Sequence, residues 1–169
     1  SVANSIVGLS QLGDKVGFIG KVNNDDLGIK YEEGLKSENV EYFYSKKKEE
    51  LPTGTCLILI TPDSERTMCT FLGTAGKISE NDVRSEAIKQ SEIIFLEGYL
   101  WDEGEPKKAF EKAIKKLPNS LVVLTDSNRG GAEEVYQLLD SLELQKKYEF
   151  WTFERLGYPN ERILKNIFS

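Results

Sequence analysis

The chain has 169 residues, 39% of them apolar and 30% charged, with a formal net charge of −6. This is the composition of a globular protein able to bury a sizeable core; it excludes a disordered chain, and no apolar run approaches the ~18 residues that cross a membrane. Histidine is absent, which removes the commonest general base and zinc ligand, and dispersed lysines on an acidic chain argue against a nucleic-acid partner.

Ala3, Ile6, Val7, Leu9 and Leu12 recur at helical spacing, and Gly13 can supply a left-handed stop. Residues 16–19 read as a short buried strand ended by Gly20. Leu27, Tyr31 and Leu35 stand at i, i+4 and i+8 of an amphipathic helix. The pattern then changes. Residues 40–44, 53–60 and 66–72 are strand-like runs, separated by a charged loop at 46–50 and a turn at 61–65 with Pro62 and Asp63. They predict an antiparallel meander inserted between helical units. Residues 79–82 predict a capping-box helix start. A buried strand follows at 93–96, and Glu105-Pro106 opens a helix to about residue 117. Another buried strand is expected at 121–124, a helix from Gly130-Gly131 to about residue 147, and a last helix near 161–167. Strands alternating with helices predict an α/β fold with a mostly parallel, doubly wound sheet. No basic-then-apolar leader opens the chain, and Cys56 and Cys69 lack metal-ligand spacing. Free thiols in a cytoplasmic protein are the expectation.

Chemistry concentrates in a few places. Asn4 is either a structural polar residue near a helix start or a reader of hydroxyls, since an amide both donates and accepts. Ligands of open α/β sheets sit at the carboxyl ends of strands. Glu97 stands at such an end, with Tyr99 and Trp101 beyond it as rings that stack on a ligand or pack in the core. Asp25 and Asp26 suit the first turn of a helix. Arg129-Gly130-Gly131 is a weak anion cradle, without the lysine of a P-loop. The lysines of residues 107–116 form a solvated helix face.

The opening helix, Gly13, and the strand and turn Lys15-Val-Gly-Phe-Ile-Gly-Lys-Val-Asn-Asn-Asp-Asp-Leu-Gly28 resemble the N-terminal signature of the PfkB-type, ribokinase-like sugar and nucleoside kinases. In that family two glycines precede the helix and an asparagine on its first turn faces the substrate. Asn4 occupies that place, and the glycine pair is expected just ahead of Ser1. Asp25 and Gly28 match the family's Asp-x-x-Gly turn, with asparagine replacing the usual preceding glycine. The meander, with Pro52-Thr53-Gly54 and residues 62–68, resembles the family's β-lid, with a lean towards adenosine-kinase-like members. The acidic residue at the end of a strand corresponds to Glu97.

The resemblance implies a partial ribokinase-like fold in which residues 1–125 form the substrate-binding part, a lid is inserted at about 40–73, and residues 126–169 are an unaligned continuation. It implies a phosphotransferase moving phosphate from ATP, with magnesium, to a hydroxyl of a sugar or nucleoside. Asn4, Glu97, Thr53, Gly54, Arg66 and Tyr99 would contact the acceptor. The family's Asn-x-x-Glu metal motif and the Gly-Ala-Gly-Asp segment with its catalytic base are not found in the chain. No catalytic residue, ATP ligand or metal ligand is therefore assigned, and this chain alone is expected to be inactive. Pairing of two copies through the lid is expected as well, with no nucleic acid and no membrane as partner. The alternative is a non-catalytic binding or dimerisation module of the same fold.

Overall fold

The computed structural model describes residues 2–44, 46–100 and 104–116, and the backbone of 121–125. The helices expected near 131–147 and 161–167, the Arg129 to Gly131 cradle and Trp101 lie outside the described residues.

Helix α1 spans Val2–Gln11. It ends as the glycine indicates: Gly13 takes φ +101°, its N–H bonds Ser10 O at 2.9 Å, and Asp14 N–H bonds Leu9 O at 3.1 Å. Strand β1, Gly17–Phe18, is followed by helix α2, Asp26–Ser37. Of the apolar stripe on α2, Leu35 is buried while Leu27 and Tyr31 are exposed. The chain reverses at Asn39, φ 57°, where Val40 N–H bonds Leu35 O at 3.0 Å.

That reversal decides the next strand. β2, Glu41–Tyr42, pairs in parallel with β1, Gly17 opposite Glu41 and Phe18 opposite Tyr42. Residues 40–44 are therefore not the first strand of the antiparallel meander. Val40 and Tyr44 are buried and Glu41 is exposed, so the alternating run needs a covered face. Helix α2 covers it and makes the unit βαβ, because parallel neighbours require a crossover.

The antiparallel element is the hairpin of β3, Thr55–Ile60, and β4, Arg66–Phe71, in register from Thr55 opposite Phe71 to Ile60 opposite Arg66. Its turn is closed by Thr61 N–H to Glu65 O at 3.0 Å, with Ser64 at φ 68°. Cys56 and Cys69 are free thiols. They sit on adjacent strands but opposite faces, since Cys56 pairs with Thr70 and Cys69 with Leu57.

After the hairpin the chain makes two 3-10 turns, Gly73–Lys77 and Glu80–Asp82. The capping box is real, with the Asp82 carboxylate accepting from Ser79 N–H at 2.8 Å. It caps the second 3-10 turn, however, and helix α3 starts only at Ser85–Lys89. Strand β5, Ile93–Glu97, helix α4, Glu105–Lys115, and strand β6, Leu121–Thr125, form a second parallel unit, with Glu97 opposite Thr125. Its core gathers Val83, Ile88, Leu96, Ala109, Ala113 and Ile114, against which Ile19, Ile78, Ile94 and Phe110 pack. The lysines of α4 pair at the surface, Lys108 with Glu105 and Lys115 with Glu111, where ion pairs add little. No helix among the described residues is long and apolar enough to cross a membrane.

Candidate functional site

The polar turn after β1 builds a knot around one carboxylate. Asp25 is extended and caps α2, its Oδ1 accepting from Gly28 N–H at 2.8 Å. The same Oδ1 accepts the Thr53 hydroxyl at 2.6 Å, and Oδ2 accepts Thr53 N–H at 2.8 Å. The Thr53 hydroxyl in turn accepts Asn23 N–H at 3.0 Å. These bonds favour the charged form: the Thr53 hydroxyl first, then the Thr53 and Gly28 amides, hold Asp25 below the ordinary 3.8. Gly28 is needed on steric grounds, because a Cβ there would lie 1.9 Å from Asn23 O.

The Asn23 side chain extends the knot. Its Nδ2 donates to Leu51 O at 2.8 Å and Glu49 O at 3.2 Å, and its Oδ1 accepts Glu49 N–H at 2.9 Å. The exit of the hairpin is tied to the same segment, with Thr74 N–H bonding Pro52 O at 2.9 Å and the Thr74 hydroxyl bonding Leu51 O. At that crossing Gly73 takes φ +51°, and a Cβ would stand 2.3 Å from Pro52 O. Thr53 and Gly54, expected to contact an acceptor, thus lie in the base of the hairpin, and Thr53 is buried with its hydroxyl and amide engaged.

The other expected residues fall elsewhere. Arg66 pairs with Ile60 beside the turn, five residues along the strand from Phe71 and so ~17 Å from the base. Glu97 is half-buried at the carboxyl end of β5; Gly98 behind it is buried, and Tyr99, on the 3-10 turn Gly98–Leu100, is 59% exposed. Asn4 is exposed on α1, a helix that packs against both β1 and β5. The six residues therefore fall at the hairpin base (Thr53 and Gly54), the hairpin tip (Arg66), the carboxyl end of β5 (Glu97 and Tyr99) and helix α1 (Asn4). An open cavity of about 300 Å³ is lined by Leu72, Gly76 and Lys77 after the hairpin and by Leu100, Gly104, Glu105 and Pro106 on the approach to α4; none of the six expected residues lines it.

Sequence reasoning missed a buried charge cluster. Lys21 is 9% exposed and stands 3.4 Å from Asp82 Oδ2 and 3.5 Å from Glu49 Oε1. Tyr44 donates its hydroxyl to Glu49. Burial first, and then that bond, push the Tyr44 phenol above its ordinary range. The available signal was a lysine inside the apolar and glycine run 16–22, since a buried ammonium demands counter-charges. Among the described residues no three Asp, Glu or Cys side chains gather as they would around a metal ion.

Residues 1–142 match the pfkB family carbohydrate kinase description. The chain is 27% identical over 144 residues to an uncharacterized sugar kinase of Pyrococcus horikoshii, covering 82% of this chain and 46% of that protein. That protein has also been solved in complex with ATP, with a TM-score of 0.66, 26% identity, and 82% and 48% of the two chains covered. The chain is 31% identical over 133 residues to a 5-dehydro-2-deoxygluconokinase of Clostridium beijerinckii, covering 75% and 38%. The adenosine kinase of Sinorhizobium meliloti superposes with a TM-score of 0.69 at 28% identity, over 84% of this chain and 43% of that one. The chain thus spans less than half the length of these curated relatives.

Two outcomes test the knot. Thr53→Val keeps shape but strips the hydroxyl, leaving Asn23 N–H and Asp25 Oδ1 short of a partner; a loss of about 1–3 kcal/mol is expected in urea unfolding. Asp25→Asn retains a capping oxygen but loses the charge. Because the folded carboxyl lies below its unfolded value, its contribution is full above about pH 4 and fades as pH falls through the folded value. Unfolding midpoints of Asp25→Asn and the parent should therefore separate near neutrality and converge in acid; a constant gap would refute the charged role.

Proposed function

The chain belongs to the pfkB carbohydrate kinase family, and from that premise we propose that it carries the acceptor-holding half of a phosphotransferase that moves the terminal phosphoryl group of ATP to a hydroxyl of a sugar or nucleoside. The observations that carry the proposal are the packing of α1 against β5 and a hairpin tied down at its base. Ligands of open parallel sheets bind beyond the carboxyl ends of strands. There the Glu97 carboxylate accepts acceptor hydroxyls, the Asn4 amide donates and accepts, and Tyr99 offers a ring face.

A hydroxyl acceptor competes with water for the phosphoryl group, so a site of this kind must close. The hairpin, bound to the body at Thr53 and Thr74, is the lid of this reading, with Gly54 at its base and Arg66 brought towards the acceptor as it closes. ATP and magnesium are used by kinases of the family; in this reading their ligands and the catalytic base belong to the rest of the protein. The setting is the cytoplasm, where ATP and free thiols coexist.

A second reading follows from the hairpin itself. Leu57, Leu59 and Phe71 line one face and Ile58, Ile60 and Met68 the other, all exposed. An isolated two-stranded ribbon is marginal in water, and apolar faces mark partner surfaces. Two copies pairing through their hairpins would cover these faces, with or without turnover.

Calorimetric titration of the longest natural form with adenosine, ribose, fructose and 2-keto-3-deoxygluconate is expected to find one binder, and binding of none counts against the kinase reading. Asn4→Ala or Glu97→Ala should weaken that binder by about 1–3 kcal/mol with little change in melting temperature, while the 169-residue chain transfers no phosphate from ATP. Lost stability at unchanged affinity would make both residues structural. For the second reading, sedimentation velocity should find dimers that Ile58→Lys or Leu57→Lys converts to monomers; a monomer at every concentration removes it.

A further inference from the structure

Acceptor binding and lid closure, as proposed, make no use of the Lys21 cluster. Lys21 extends from the end of the first strand unit into a pocket where its side chain is 8% exposed, between Glu49 at 16% and Asp82 at 9%. The Tyr44 ring lies 5.9 Å from its ammonium and hydrogen-bonds Glu49. Lys47, exposed, also reaches Glu49 at 3.6 Å from outside. The N–H and hydroxyl of Ser79 donate to the same Asp82 oxygen, Oδ2, at 2.8 and 2.9 Å.

The two carboxylates come from the two sides of the hairpin. Glu49 stands on the segment leading into its base; Asp82 stands in the 3-10 turn after its exit, packed against α4, whose Lys112 donates to Glu80 O at 2.5 Å. A buried ion cluster adds little net stability compared with apolar packing. What it imposes is geometry, because the ammonium must lie within reach of both carboxylates or leave a charge unpaired. The hairpin has no buried residue in either strand, so apolar packing of its own strands does little to set its angle to the body.

We propose that Lys21 is the positioning residue of the lid: it pins the hairpin's entry segment, through Glu49, to the turn of Asp82 and so sets the orientation of the hairpin relative to the body. The functional sense of this pin rests on reading the hairpin as a lid; the mechanical claim does not, and its test needs no catalysis.

The native thiols allow that test. In a Cys56→Ser background, spin labels on Cys69 and on Lys115→Cys of α4 report the distance from hairpin to body, with unlabelled protein in excess to suppress signals between copies. The parent should give one narrow distance population. Lys21→Met should shift it to a broad one, and Lys21→Arg should restore the narrow one, since a guanidinium can bridge the same carboxylates. Glu49→Ala guards against a folding failure, because the Lys21–Asp82 pair survives; it too should broaden the population while the melting transition stays cooperative. A lowered melting temperature with unchanged distances in Lys21→Met and Glu49→Ala would make the cluster merely structural and overturn the proposal. So would equal broadening by Lys21→Arg and Lys21→Met.

Discussion

The arrangement depends on one carboxylate serving two masters. Asp25 caps α2 through Gly28 N–H and holds the hairpin base through both polar groups of Thr53. A cap alone would need only one acceptor atom. The second is free to reach across because Gly28 lets the Asn23 carbonyl approach where a side chain would collide. The start of a helix and the root of a β-ribbon are thereby fixed to each other without a shared apolar core. This explains why a segment built of short strands and loops keeps a defined shape.

The division of labour between apolar and polar forces follows the same line. The second βαβ unit is held by packing, with Ile114 and Leu96 among its buried residues. The first unit is held around rings, with Phe18, Tyr31, Tyr42 and Tyr44 in successive contact at centroid distances of 6.0–6.4 Å, and by the Tyr42 hydroxyl on Gly20 O at 2.8 Å. The hairpin has neither and is secured at its root, by hydrogen bonds and by the Lys21 charges beside it. An element attached in this way takes its orientation from its root, since the bonds that hold it lie at one end.

The family assignment and this geometry support each other at different levels. Membership establishes a carbohydrate-kinase fold, and solved relatives superpose on most of this chain while the chain covers under half of the adenosine kinase from Sinorhizobium meliloti. The described part supplies two parallel units, an antiparallel hairpin and an open cavity. In the reading proposed above, the chemistry of phosphoryl transfer, which is mostly positioning and charge stabilisation around the nucleotide, falls to the rest of the protein.

Local physics was enough to read much of this from the sequence. The glycine exit of α1, the acidic N-cap of α2, the ribbon with its Pro-Asp turn, and the βαβ rhythm are written in neighbouring residues, because hydrogen bonds within a turn and periodic burial need no distant partner. Residues 40–44 misled for the opposite reason. A strand-like run says nothing about which strand it will pair with; the reversal at Asn39 and the cover of α2 made that choice. The capping box of Ser79 and Asp82 was legible, but not that it would close a 3-10 turn, with Lys21 drawing on the same carboxylate. Thr53 could be recognised as part of a motif, yet its burial against Asp25 came only from folding. The sequence by itself determined most of the described elements and their order, since these follow from local propensity and pattern, and its motifs carried the resemblance to the family. The tertiary structure alone decided which carboxylates share the buried ammonium and how far apart Arg66, Thr53 and Glu97 stand, because those depend on contacts between residues tens of positions apart, which no local pattern encodes.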